Sequence, residues 1–142
     1  MSKYAQGVYQ VKNPEKYVGR STPRYRSSWE FTFFTFCDNH PNVLQWASEC
    51  VRIPYRNPLT GKNTTYVPDI FIVYQDKDGK NHAELIEIKP LNQTHISEAK
   101  SRRDVAAAAV NMAKFAAARQ WCSANSIQFR IVTKSELYTG AK

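Results

Sequence analysis

Residues 66–90 constrain this 142-residue chain more than any other stretch. Two runs rich in β-branched and aromatic residues, Tyr66-Val67-Pro68-Asp69-Ile70-Phe71-Ile72-Val73-Tyr74 and Ala83-Glu84-Leu85-Ile86-Glu87-Ile88-Lys89-Pro90, flank Asp76-Lys77-Asp78-Gly79-Lys80. Glycine at 79 supplies the left-handed residue that a short loop needs, so the spacing predicts a β-hairpin. With Lys77-Asp78-Gly79 as the loop, Asp76 faces Lys80, and the same register sets Asp69 across from Glu87, with Cα atoms roughly 4.5–5.5 Å apart. Side chains alternate along a strand, so Glu87 and Lys89 share one face while Ile86 and Ile88 point to the other. Two carboxylates and an ammonium are expected to converge on one patch of sheet.

Carboxylates held that close repel unless one is protonated or a cation lies between them. A hard divalent ion such as Mg2+ takes one or two carboxylates, keeps several waters and accepts phosphate oxygens. A neighbouring lysine can stabilise charge developing on a phosphate. The plainer alternative is a solvated hairpin face with a cross-strand Glu–Lys pair.

The length suits one domain, able to bury about two-thirds of its unfolded surface without disulfides. No apolar run approaches the roughly 20 residues of a membrane span, and Met1-Ser2-Lys3-Tyr4 lacks a signal-peptide core. Cys37, Cys50 and Cys122 are odd in number and far apart, which fits reduced, partly buried thiols in an intracellular protein better than a zinc site. The formal charge is +8, alongside eight tyrosines, seven phenylalanines and three tryptophans. Basic and aromatic together point first to nucleic acid as partner, although an acidic protein surface would suit the same charge.

Residues 1–24 read as an extended arm ahead of a domain at 25–142. Lys3, Lys12, Lys16, Arg20, Arg24 and Arg26 face one acid, Glu15, among interleaved tyrosines, and Pro14, Gly19 and Pro23 break any regular pattern. Such a segment either follows a phosphate backbone or docks on the body by its tyrosines. Ser27-Ser28-Trp29-Glu30 is a capping box in which Glu30 reaches back to the Ser27 amide. The helix that follows buries Trp29, Phe33, Phe36 and Cys37, widened by Phe31 and Phe34, and stops before Pro41. Glu30 either closes the cap or looks toward the hairpin carboxylates. Val43 to Trp46 lead into a short strand at 49–55, where Glu49 is ambiguous, and a turn at 56–62 precedes the central hairpin. After a polar link, a long helix from about Ser97 or Ser101 to Asn125 carries Lys100, Arg102 and Arg103 in its first turns, against the helix dipole, which fits either an outside anion or a loosely solvated helix start. Val110, Met112, Phe115 and Trp121 anchor it, with Asn111 and Lys114 as polar positions amid that face. Ile127 to Val132 is a last strand, which the helix allows to pair in parallel. The sum is α-β-β-β-α-β, an α/β domain with a mixed sheet flanked by helices.

At this point the residues resemble a known superfamily. Pro68-Asp69 and, after seventeen intervening residues, Glu87-Ile88-Lys89 resemble the PD-(D/E)XK nuclease signature, and the element order resembles its restriction-endonuclease-like core. Ser28-Trp29-Glu30, His40-Pro41-Asn42-Val43, Glu49 to Tyr55, Tyr66 to Asp69 and Glu87 to Pro90 together resemble the TnsA-type endonuclease domain, and more closely the head-completion nucleases of large contractile-tailed phages. Asn111, Lys114, Trp121-Cys122 and Phe129 to Thr133 extend the likeness over roughly residues 25–137. The resemblance implies that Asp69 and Glu87 bind catalytic Mg2+ (or Mn2+) with help from the Ile88 carbonyl. It implies that Lys89 is the catalytic lysine and Glu30 the helix-borne acid. Glu49 stands where related domains often carry Gln.

Three functions follow from this reading. The first is a metal-dependent DNA endonuclease in which water attacks phosphorus in line and the 3′-oxygen leaves. In the phage setting it would trim or resolve packaged DNA ends, with portal, neck or other head-completion proteins as partners, in host cytoplasm or virion. The second is a structural DNA- or portal-binding protein with little nuclease activity. The third is a Holliday-junction-resolvase-like nuclease, which needs paired sites. Arg24, Arg26, Lys100, Arg102, Arg103 and Lys114 are the candidate DNA contacts.

Overall fold

A computed structural model describes residues 6–89 and 102–133, with Lys89 and Thr133 described by their backbone alone. In chain order the elements are β1 (Gly7–Val8), β2 (Arg24–Tyr25), α1 (Ser28–Asn39), β3 (Val43–Ser48), β4 (Ile53–Arg56), β5 (Asn63–Tyr66), β6 (Ile70–Gln75), β7 (Asn81–Lys89), α2 (Arg102–Ala124) and β8 (Gln128–Thr133).

The β6–β7 hairpin has the expected register, running from Gln75↔Asn81 to Ile70↔Ile86. Its loop is closed by the Asp76 amide donating to the Lys80 carbonyl at 2.8 Å, and Gly79 sits at φ +83°. Together with β3 and β8 the hairpin forms a four-stranded sheet in the order β3-β6-β7-β8. The first two pairings are antiparallel. The last is parallel, from Glu84↔Gln128 to Lys89↔Thr133, and α2 provides the crossover such pairing requires. One face of the sheet (Ile70, Ile72, Ile86, Ile88, Val132) packs with Phe33, Phe34 and Cys37 of α1. The other (Phe71, Leu85, Phe129, Ile131) packs with Phe115, Ala118 and Cys122 of α2. This is the expected mixed α/β core, with a β4–β5 hairpin inserted between its first two strands.

Several local expectations change. The strand beside β6 is residues 43–48, not 49–55: Val43, Trp46 and Ala47 are buried, a register shift between Val43 and Gln45 accommodates them, and Glu49 at φ +51° then turns the chain away. In α1 the cap is present, with Ser27 Oγ accepting the Glu30 amide at 3.2 Å. Glu30 itself, however, accepts from the amide of Arg26 at 3.0 Å and not from that of Ser27, because Ser27 is fully extended and the chain's preceding amide meets the carboxylate. Helix α2 buries the stripe Ala108, Asn111, Phe115, Ala118 and Cys122; Met112, expected as an anchor, is half exposed. The expected helix start at Ser97 or Ser101, the link before it and Lys100 lie outside the described residues.

The described part of the arm is built into the fold. Tyr9 is 4% exposed and meets Phe34 and Trp46 edge-on. Tyr17 packs on Trp46 at 4.8 Å, and residues 16–18 hydrogen-bond along β3, Val18 amide to Trp46 carbonyl and Trp46 amide to Lys16 carbonyl, both 3.0 Å. A fully buried Asp38 accepts from the Tyr9 hydroxyl and from the Lys12 and Asn13 amides at 2.7–3.0 Å. Docking through tyrosines therefore describes this segment, and its backbone is tied down where a free extension was one expectation.

Candidate active site

The site forms where the β6–β7 ladder ends. Asp69 immediately precedes β6, and the register that pairs Ile70 with Ile86 sets it across from Glu87. One Asp69 oxygen accepts from the Ile88 amide at 2.7 Å, which fixes the carboxylate on the end of β7. The Ile88 group engaged with Asp69 is thus its amide, whereas the resemblance implies its carbonyl as a metal ligand. Glu87 is 6% exposed on the α2 face, an unusual place for a carboxylate. It is held there by the Tyr66 hydroxyl, which donates to Oε1 at 2.6 Å from the end of β5. Burial, then the charge of Glu87 and the hydrogen bond to it, push the Tyr66 phenol far above its ordinary range, so Tyr66 stays a donor.

Helix α2 closes this side. Phe115 lies 6.3 Å from the Tyr66 ring, the Lys114 ammonium sits over that ring at 5.6 Å, and Asn111 is buried in the same stripe. Lys114, a candidate DNA contact, therefore stands over the ring of the tyrosine that holds Glu87. Arg102 and Arg103 are exposed at the described start of α2, and Arg24 is exposed on β2.

A second group of charges borders the pair. Glu49 donates its amide to the Asp69 carbonyl at 2.9 Å and holds the Arg26 guanidinium with both carboxylate oxygens. A non-glycine residue at φ +51° is strained, and the two contacts fix it. Arg26 is consequently engaged, and a DNA phosphate would have to compete with Glu49 for it. Burial raises the pKa of Glu30; the Arg26 amide and guanidinium oppose the rise, and the charges of Glu49 and Glu87 add to it. Glu30 is thus close enough to feel Glu87 while its oxygen holds the Arg26 amide. The side chain of Lys89 lies outside the described residues, but its backbone pairs with Thr133 at the end of the same strand as Glu87.

Among the described residues no three His, Cys, Asp or Glu side chains gather as a ready-made metal cage. Mg2+ does not require one: one or two carboxylates, water and substrate oxygens suffice. The Asp69–Glu87 pair fits that donor set. Cys37 and Cys122 are buried and Cys50 is exposed, all three free, and none joins the site.

Two comparisons bear on this geometry. Residues 40–134 match the family model of the TnsA-like endonuclease N-terminal domain. The chain belongs to the TnsA-like endonuclease family. The span matched to the TnsA-like model contains Glu49, Asp69, Glu87, Lys89 and Lys114 and begins after Glu30. The chain is also 34% identical to the head completion nuclease of Enterobacteria phage T4, over 92% of this chain and 92% of that protein. Residues 25–142 alone could not supply that coverage, so the likeness reaches into the N-terminal segment, consistent with its packing on β3.

Sequence reasoning missed Tyr66 and the Arg26–Glu49 pair. Tyr66 belongs to a different strand from Asp69, so no alternation relates them. The available signal was chemical and partial: a buried tyrosine hydroxyl needs a partner, but nothing in the hairpin pairing names Glu87 as that partner.

Proposed function

We propose that this chain is a Mg2+-dependent DNA endonuclease that acts on DNA ends during phage head completion, with Mn2+ as a substitute metal. Portal, neck or other head-completion proteins would be its assembly partners, in host cytoplasm or virion. The observation that carries the reading is the convergence of Asp69 and Glu87 from paired strands, with Glu87 buried and held by Tyr66. A buried carboxylate facing a second one is unfavourable unless charge arrives to balance it.

Asp69 and Glu87 would hold the cation, with Glu30 as an outer acid. A hard divalent ion there would supply Lewis acidity toward a phosphate oxygen and lower the pKa of a water. The chain's own residues do the rest. The Ile88 amide and the Tyr66 hydroxyl orient the two carboxylates. Lys89, on the alternation that places it with Glu87, would steady the charge developing on phosphorus. Lys114 adds positive charge beside the same face.

The test is cleavage of plasmid, linear and branched DNA with Mg2+, with Mn2+ or with EDTA. Asp69→Asn, Glu87→Gln and Lys89→Ala should each lose at least ~100-fold in rate, the scale of losing one electrostatic contributor, while remaining folded and bound to DNA. Cutting that survives thorough chelation, or a fully active Asp69→Asn, overturns the reading.

A further inference from the structure

Between Glu49 and Asp69 the chain runs nineteen residues without an acid and carries Arg52, Arg56 and Lys62. This stretch contains the β4–β5 hairpin, paired from Ile53↔Tyr66 to Arg56↔Asn63. Its base is pinned at the acidic pair: Glu49 and Asp69 are hydrogen-bonded to each other, and Tyr66 at the first rung reaches Glu87. One face of the ribbon is committed, since Ile53 and Tyr66 are buried against α2 and Tyr55 packs beside them. The other face (Pro54, Arg56, Asn63, Thr65) is exposed, as are Arg52, Lys62 and the tip. Among the described residues none of the three cations takes part in an ion pair, although the Arg56 Nε donates to the Gly61 carbonyl at 3.0 Å.

We propose that the exposed face of the β4–β5 ribbon is a phosphate-binding surface that lays duplex DNA across the Asp69–Glu87 site. The proposal rests on DNA being the substrate, as in the function above. Charge is the first argument: three cations with no acid among them repel one another and favour a polyanion. Composition is the second. The exposed face offers Asn63 and Thr65 as neutral donors, the residue types that bind phosphate oxygens, and lacks the exposed tyrosine or tryptophan that anchors protein–protein interfaces. Dimension is the third. At about 3.3 Å per residue the four-rung ladder is roughly 13 Å long, close to the roughly 12 Å width of the DNA major groove. A two-stranded ribbon whose base sits at the acids therefore spans one groove from the scissile phosphate.

The experiment is binding of a labelled 30-bp duplex (a length of about three turns) by the full chain in EDTA, where cleavage is off, across a salt series. Three variants are compared: Arg52→Gln/Arg56→Gln/Lys62→Gln on the ribbon, Lys77→Gln/Lys80→Gln on the loop at the opposite end of the sheet, and Asp69→Asn at the site. The ribbon variant should bind at least ~10-fold more weakly, and its slope of log K against log salt should be shallower by about 0.9 for each phosphate it no longer neutralises. The loop variant should stay near wild type on both measures, and circular dichroism should show all three folded. Wild-type affinity and slope in the ribbon variant overturn the proposal, as does equal weakening by the loop variant, which would mean only that net charge matters. A wild-type chain that binds through the ribbon yet cuts nothing with Mg2+ would leave this inference standing and remove the nuclease reading instead.

Discussion

Glu30 meets two demands with one carboxylate. It accepts from the Arg26 amide just ahead of the Ser27 cap and lies in the field of Glu49 and Glu87. Burial raises its pKa, so the folded state binds that proton more tightly than the unfolded chain does, and the ionised form costs stability at neutral pH. Glutamine keeps an acceptor for the Arg26 amide and removes the charge. Glu30→Gln should therefore melt at or above the wild-type temperature at pH 7, while cleavage falls at least ~10-fold if the charge serves the metal site. Glu30→Ala should lose activity and also the acceptor of the Arg26 amide, at a cost of about 0.5–1.5 kcal/mol. A Gln variant that cuts at the wild-type rate would leave the Glu30 side chain only its hydrogen bond to the Arg26 amide. Tyr66 gives the complementary case. Tyr66→Phe leaves a buried oxygen of Glu87 without its 2.6 Å donor, a loss of about 1–3 kcal/mol. Melting should drop by several degrees, and cleavage should fall through the rate with little change in KM, because Tyr66 is buried and bonded to Glu87. Wild-type stability in Tyr66→Phe would mean that another group satisfies Glu87.

Among the elements, the N-terminal segment is the one whose role depends most on the three-dimensional fold. Burial alone would raise the pKa of Asp38, but the hydrogen bonds from the Lys12 amide, Tyr9 hydroxyl and Asn13 outweigh it and hold the carboxyl below its ordinary value of 3.8. A depressed folded pKa means stability that is present above the unfolded value and lost as pH falls through the folded one. Asp38→Asn should lower the urea midpoint at pH 7, and its gap from wild type should close as pH falls below 3.8. A constant gap down to about pH 2, below both pKa values, would assign Asp38 a shape role only. Removing residues 1–24 should cost far more, since Tyr9 alone compares with the about 3–5 kcal/mol of deleting a buried aromatic. Docking by tyrosines is one of the two readings the sequence offers, but which tyrosines dock, and on what, is not legible in it. The arm's tyrosines have neither a period of two nor of 3.6, and their partners Asp38 and Trp46 lie more than twenty residues away. The central hairpin is legible to the residue, because an Asp-Gly loop fixes register and register fixes which carboxylates meet. The strand beside it is misplaced by pattern for a comparable reason: residues 43–48 carry a bulge and so break strict alternation, whereas 49–55 alternate cleanly but pair elsewhere. In α2 the small residues Ala108 and Ala118 define the buried stripe, and the eye follows larger Met112.

At the scale of the whole molecule, two charge distributions of opposite sign are stacked on one end of the sheet: the Asp69–Glu87 acids and the basic ribbon that grows from them, in a chain of net +8. Each should bind its own counter-charge, and each binding event should stabilise the folded state by mass action. A cation present at tenfold its Kd adds about 1.4 kcal/mol, which for a chain of this size is a few degrees in Tm. The two effects should separate cleanly in melting curves. Mg2+ alone should raise the wild-type Tm and leave that of Asp69→Asn unmoved. Asp69→Asn should also melt higher than wild type without metal, since it relieves the repulsion across the hairpin. Duplex DNA in EDTA should raise both Tm values at low salt and lose the effect as salt rises, because its contribution is counterion release. The Arg52→Gln/Arg56→Gln/Lys62→Gln variant should reverse the pattern, keeping the Mg2+ shift and losing most of the DNA shift. If Mg2+ stabilises Asp69→Asn as well as it does the wild type, the cation binds elsewhere and the carboxylate pair is not its site. If DNA still stabilises the ribbon variant fully, the phosphate surface lies on the other basic residues, Arg24 and the start of α2 foremost.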